Sequence, residues 1–188
     1  MEIKKLNPCF SCDGKCCKGL AVILTIPEAL ELIRSTKLPP QEVIEFTNRL
    51  DPDKVPHYPL LVMQKNRIEQ YFIIIKREKK CIFLDENNRC KIYKNRPFVC
   101  RIYPFELDGI KLKEKHLCPV KFERTKEIEL AAKILKDLLK LHGIVAREWN
   151  KQHTNFSELD VKKFLEYFEK PTKLAAKKYK ICLPNKIK

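Results

Sequence analysis

The stretch NPCFSCDGKCCKG (residues 7–19) places four thiols, Cys9, Cys12, Cys16 and Cys17, within nine residues. Cys9-x2-Cys12 is a chelating pair by geometry, because two intervening residues make a tight loop whose thiolates converge on one ion. The adjacent pair Cys16–Cys17 poses a different problem. In extended backbone, neighbouring side chains point to opposite faces. Both reach one centre only if the chain turns sharply between them; otherwise they serve two centres, or one of them packs.

Working outward, five more cysteines follow. Cys81, Cys90, Cys100 and Cys118 form a second group separated by 8, 9 and 17 intervening residues, and Cys182 stands alone near the tail. No local loop motif explains the second group. It makes sense if the segments carrying it converge in space on the N-terminal loop. Eight thiols then suffice for two four-coordinate ions, or for one [4Fe–4S] cluster with thiols to spare. All-cysteine sets suit zinc and iron–sulfur alike. Cys118–Pro119, and the lack of regular paired C-x2-C knuckles, tilt the reading towards iron–sulfur. The order x2 then x3 differs from the C-x3-C-x2-C triplet of radical S-adenosylmethionine enzymes. Cys182 reads as a small apolar packing residue.

The chain has 188 residues, a hydrophobic fraction of 44% and a charged fraction of 34%, which describes one soluble globular domain with a sizeable core. No segment reaches the roughly 20 apolar residues of a membrane span, and no secretory leader is apparent. The expected setting is therefore the cytoplasm, with no membrane partner, where clustered thiols bind metal more often than they form disulfides. The Lys-, Glu- and Ile-rich composition resembles a thermophile's, which keeps disulfides as an alternative. The net charge is +15, and residues 111–188 carry 20 Lys/Arg against 10 Asp/Glu. That basic C-terminal part is a candidate surface for an acidic protein or nucleic acid, although a solvated lysine-rich face explains it better.

A capping box, Thr25-Ile-Pro-Glu28, predicts a helix carrying Ala29, Leu30 and Ile33 on one face. A second helix is expected after Pro39–Pro40, with Val43, Ile44, Thr47 and Leu50 on one side. Residues 51–59, with three prolines, read as an extended connection. LLVMQ and YFIIIK read as strands, CIFLDENNRCKIY as a hairpin turning at DENN, and FELDGIKL as a hairpin at Asp-Gly. Residues 128–143 read as an amphipathic helix stopped by Gly143. Another helix is expected from Ser157, interrupted at Pro171, with a short last helix beyond.

Taken together, NPCFSCDGKCC, CIFLDENNRCKIYKNRPFVCRIYPF and the later Cys118 resemble the YkgJ-type cysteine-cluster family, also named the CxxCxxCC zinc- or iron-chelating domain. Cys81, Phe83, Leu84, Cys90, Ile92, Tyr93, Arg96, Pro97, Cys100, Arg101, Pro104 and Phe105 carry the likeness. It covers about residues 6–120, leaving residues 121–188 as a helical extension of a single domain. The N-terminal group is one residue longer than the family's name implies, which leaves the ligand set around Cys16 and Cys17 open. The resemblance implies metal or iron–sulfur binding through Cys9, Cys12, Cys16, Cys17, Cys81, Cys90, Cys100 and Cys118. Relatives that methylate flagellin lysines are similar in this region, so an iron–sulfur-dependent protein lysine methyltransferase is the alternative. A third reading is a basic RNA-binding accessory protein with structural zinc.

Arg96 and Arg101 flank Cys100. Their guanidinium groups suit thiolate–metal charge or a carboxylate or phosphate ligand, or else an ion pair with a carboxylate such as Glu106. Of the two, Arg101 is the expected functional residue. His116 is a possible substitute ligand, whereas His57, His142 and His153 read as surface or helix-end residues. No G-x-S-x-G, P-loop or G-x-G-x-x-G is present. The expected architecture is α+β: a small cysteine-rich, metal-organised core with β-hairpins, flanked by helices and a helical C-terminal part.

Overall fold

The computed structural model describes residues 12–55, 57–64, 68–119, 123–152 and 160–183. The architecture is α+β, organised on one long strand. That strand, β4 (Ile68–Ile75), pairs antiparallel with three partners: β1 (Ile23–Leu24) and β2 (Ile44–Thr47) along its C-terminal half, and β3 (Leu61–Gln64) along its N-terminal half. The unbroken apolar run in YFIIIK follows from this position, since a central strand is covered on both faces. Ile73 and Ile75 join Leu24 and Ile44 in the main core, while Phe72 and Ile74 join Ile23 in a smaller one behind the sheet.

The predicted capping box is present. Thr25 caps α2 (Ile26–Thr36), accepting from the Glu28 N–H, and the Glu28 carboxylate accepts from the Thr25 N–H. The helix expected after Pro39–Pro40 is cut short. Only α3 (Pro40–Val43) forms, and the β-prone Ile44-Glu-Phe-Thr47 that follows joins the sheet edge instead. Residues 51–59 hold a 3₁₀ turn at Pro52–Lys54 within the proline-rich connection.

The longest element is α5 (Lys126–Gln152), which continues nine residues past the predicted stop. Gly143 sits inside it because Pro59 packs there; an added Cβ would meet Pro59 Cγ at 3.3 Å. Along its length α5 joins two regions. Its first half packs Ala131, Ala132, Leu135, Leu138 and Leu139 against Phe98 and Ile102 of α4 (Phe98–Ile102). Its second half puts Leu141, Val145, Ala146 and Trp149 into the main core.

The helix start expected at Ser157 lies outside the described residues, which resume at Asp160; Asp160 caps a 3₁₀ turn leading into α6 (Phe164–Lys178). Pro171 does not interrupt α6, and the expected short last helix is its continuation. Among the described residues no helix is long and apolar enough to cross a membrane.

Candidate metal centre

Cys16 and Cys17 occupy successive positions of a one-turn helix, α1 (Lys15–Gly19), entered through Gly14 at φ 66°. This is the sharp turn the adjacent pair requires. The two Sγ atoms lie 4.0 Å apart, close to the roughly 3.8 Å that two thiolates adopt on one tetrahedral zinc. The glycines at either end of α1 permit close approach of the other cysteine-bearing segments. A Cβ on Gly14 would meet Leu84 at 3.0 Å, and one on Gly19 would meet Leu117 at 2.6 Å. Gly14 also donates its N–H to Cys12 Sγ at 3.3 Å.

The second cysteine group is joined to this loop directly. Cys81 donates its N–H to the Cys17 carbonyl at 2.9 Å, and the Arg77 guanidinium donates to the Lys18 carbonyl at 2.7 Å. The expected hairpin over residues 81–93 is reduced to a single bridge, Leu84 opposite Cys90, closed by a tight turn. Asp85 accepts from the Arg89 N–H at 2.7 Å, and Asn88 takes the left-handed conformation at φ 58°. The Asp-Gly turn at 105–112 likewise closes on one bridge, Phe105 opposite Leu112, with Gly109 and Ile110 as the left-handed pair.

Cys100 is placed by α4, and α4 is placed by a residue far away in sequence. Glu28 Oε1 accepts from the Phe98 N–H at 2.8 Å, while Oε2 accepts from the Thr25 N–H and hydroxyl. One buried carboxylate therefore caps two helices. Burial pushes its carboxyl above the ordinary range, against the pull of those donors and of Arg101. A second buried polar group supports α2. His142 Nδ1 accepts from the Ile26 N–H at 3.0 Å, and Nε2 lies 2.6 Å from the Pro59 carbonyl. Burial lowers its pKa to about 4, so the ring is neutral and Nε2–H donates to Pro59. The expectation of a surface or helix-end histidine at 142 fails because the ring fills the space between α5, α2 and the Pro59 loop.

These contacts bring Cys12, Cys16, Cys17, Cys81, Cys90, Cys100 and Cys118 onto the wall of one cavity of about 120 Å³. Cys9 lies outside the described residues. None of the eight described cysteines is in a disulfide, and Cys182 is exposed rather than packed, so its small-apolar reading is corrected. Between the cavity thiols the wall is apolar, including Leu20, Val22, Ile75, Phe83, Leu84 and Val99. That environment disfavours isolated thiolates. The Cys17 thiol, and then burial, raise Cys16; burial raises Cys81, and Cys100 well above the usual thiol range. A bound cation reverses this, since it deprotonates the thiols that coordinate it and offsets their charge. The donor set thus fits a metal. Among the described residues, however, no three His, Cys, Asp or Glu side chains are arranged around a single-ion position. The seven described thiols of the two groups are spread over the wall of the one cavity.

Of the two arginines, Arg96 is the one on the cavity wall. Its guanidinium stacks 3.7 Å from the Tyr93 ring centroid, donates to the Tyr93 carbonyl, and pulls against the upward shift of Cys100. Arg101 instead clasps backbone, donating to the Arg96 carbonyl at 2.8 Å and the Lys94 carbonyl at 3.0 Å. His116 is half-buried and does not line the cavity; Cys118 does. Tyr103 is not among the residues that the motifs single out. It lines the cavity, and its hydroxyl accepts from the Leu117 N–H at 2.7 Å, which anchors the loop carrying Cys118. Tyr58 carries no motif signal: its hydroxyl is buried without a hydrogen-bond partner among the described residues, in the field of Glu28 and Cys100.

The chain belongs to the CxxCxxCC family, described as “Putative zinc- or iron-chelating domain”, whose family model matches residues 8–119. No solved structure matches it. The matched span contains both cysteine groups and every thiol on the cavity wall.

Proposed function

We propose that the protein holds an iron–sulfur cluster of the four-iron type in the cysteine-lined cavity. The observation that carries this reading is the convergence of seven thiols, from segments far apart in sequence, on the wall of one largely apolar cavity. Zinc is coordinated by ligands that meet at one point about 2.3 Å away, whereas a cluster brings its own sulfide and takes thiolates from several directions. Cys16, Cys81, Cys90 and Cys100 all line the cavity, and Cys81 and Cys100 each feel the charge of Cys16 and Cys90; this quartet is the ligand set we assign. Cys12, Cys17 and Cys118 complete the wall, and Arg96 offsets negative charge beside Cys100. Such a cluster would supply one-electron chemistry when bound. The chain's own part is to exclude water with apolar residues and to hold thiols from distant segments in place.

The test is metal and acid-labile sulfide content, with the visible spectrum, on protein purified without oxygen. A brown sample carrying about four iron and four sulfide per chain is the expected result. A colourless sample with stoichiometric zinc and no sulfide would replace the cluster with a zinc centre.

A further inference from the structure

A second cavity, of about 500 Å³, lies against the first. The two share Leu20, Ala21, Val99 and Tyr103 as lining residues. Its volume falls within the roughly 300–1,000 Å³ usual for small-molecule sites. The interior is apolar, formed by Ile23, Val55, Ile102, Phe105, Leu107 and Leu135. A closed core would fill such a space with side chains, because protein interiors pack to crystal density.

Charges stand around this apolar interior, and most are matched. Asp108 has His57 at 3.3 Å and Lys136 at 3.6 Å, while Lys54 has Asp51 at 3.4 Å. Glu106 is exposed to solvent. Lys113 differs from all of these. It is half-buried, its ammonium lies 5.9 Å from the Tyr103 ring centroid, and no carboxylate among the described residues pairs with it. Tyr103 adds a second donor. Its oxygen already accepts from the Leu117 N–H, so its own hydroxyl hydrogen is left to donate. A cation and a hydroxyl-bearing ring therefore stand side by side on the wall of the second cavity.

We propose that this cavity binds a small organic carboxylate, with the apolar body inside and the carboxylate held by Lys113 and Tyr103. An apolar site with few convergent polar groups selects for such a molecule: the interior rejects strongly hydrated ligands, and Lys113 rejects neutral ones. The site stands on its own residues; only the ligand's position beside a metal centre rests on the function proposed above.

The probe is 2-naphthoate, followed by its fluorescence, with 2-naphthamide as the neutral counterpart and octanoate as competitor. Saturable binding of naphthoate is expected, displaced by octanoate, with naphthamide roughly tenfold weaker. Lys113→Ala should weaken naphthoate roughly tenfold and leave naphthamide unchanged, and Lys113→Arg should restore most of the loss. Leu107→Trp, which fills the cavity, should remove binding of both naphthalene probes. Absence of saturable binding by naphthoate and octanoate overturns the proposal. So does equal binding of acid and amide together with an unchanged Lys113→Ala protein. Metal and sulfide are measured on the same samples. A metal-free protein that binds naphthoate retires the cluster alone, and a cluster-loaded protein that does not bind it retires this site alone.

Discussion

Where Phe164, Phe168, Leu24 and Ile73 meet, the packing is apolar and the elements are long or well paired; around the cysteines the elements are single turns and single bridges. The first region is held by area removed from water. The second, spanning residues 12–19 and 81–118, has few ladder bonds of its own. Its shape is imposed from outside by Glu28, which caps α4, by α5, which packs against α4, and by backbone bonds between the loops. The difference teaches how a metal site built from irregular loops is kept in place. Rigid helices hold the loops at a few points, and the metal supplies the remaining cross-links.

Substitutions in each region separate the two means of support. Phe164 is fully buried against Phe46 and Phe168, with ring centroids 6.1 and 4.9 Å away. Phe164→Ala should cost about 4 kcal/mol in denaturant unfolding while metal stoichiometry in the folded protein is retained. Glu28→Ala tests the link between the regions. It strands the Thr25 and Phe98 N–H groups and should cost about 3 kcal/mol, and unlike Phe164→Ala it should also weaken metal retention in a chelator competition, because α4 carries Cys100. A loss of stability with unaltered metal retention would break the comparison.

The pH dependence sharpens it. His142 titrates at about 4 in the folded chain and near 6.5 when unfolded, so between those values the unfolded state binds the extra proton. Stability therefore falls as pH drops from about 6.5 towards 4, by up to about 3 kcal/mol in full. His142→Gln keeps an acceptor for Ile26 and a donor for Pro59 and should lack this contribution to the slope, as read from unfolding at several pH values. Gly14→Ala is the smallest effect. The left-handed backbone and the contact with Leu84 should cost about 1 kcal/mol, seen as faster amide exchange in α1 with little change in α5.

Much of this organisation was legible in the sequence because it is local. The Thr25–Glu28 box, the two strands before Lys76, and the turns at Asn88 and Gly109 each follow from residues within a few positions. The recurrence of cysteines in two groups also pointed to convergence. What escaped was set by partners distant in the chain. Glu28's second role needs Phe98, 70 residues away, and His142's role needs Ile26, 116 residues away. Gly143 reads locally as a stop because the approach of Pro59 is invisible there. Residues 44–47 read as helix because their strand partner, β4, comes later. Arg96 and Arg101 both flank Cys100, and only the fold shows that Arg96 lines the cavity.

The most direct test of the central claim, that thiols from separate segments form one centre, is cysteine footprinting by mass spectrometry on metal-loaded protein, before and after chelation. Cys16, Cys81, Cys90 and Cys100 should resist alkylation together and become reactive together once metal is removed, while exposed Cys182 reacts at once in both states. Protection confined to the N-terminal group, with Cys81, Cys90 and Cys100 reacting freely in the loaded protein, would contradict it.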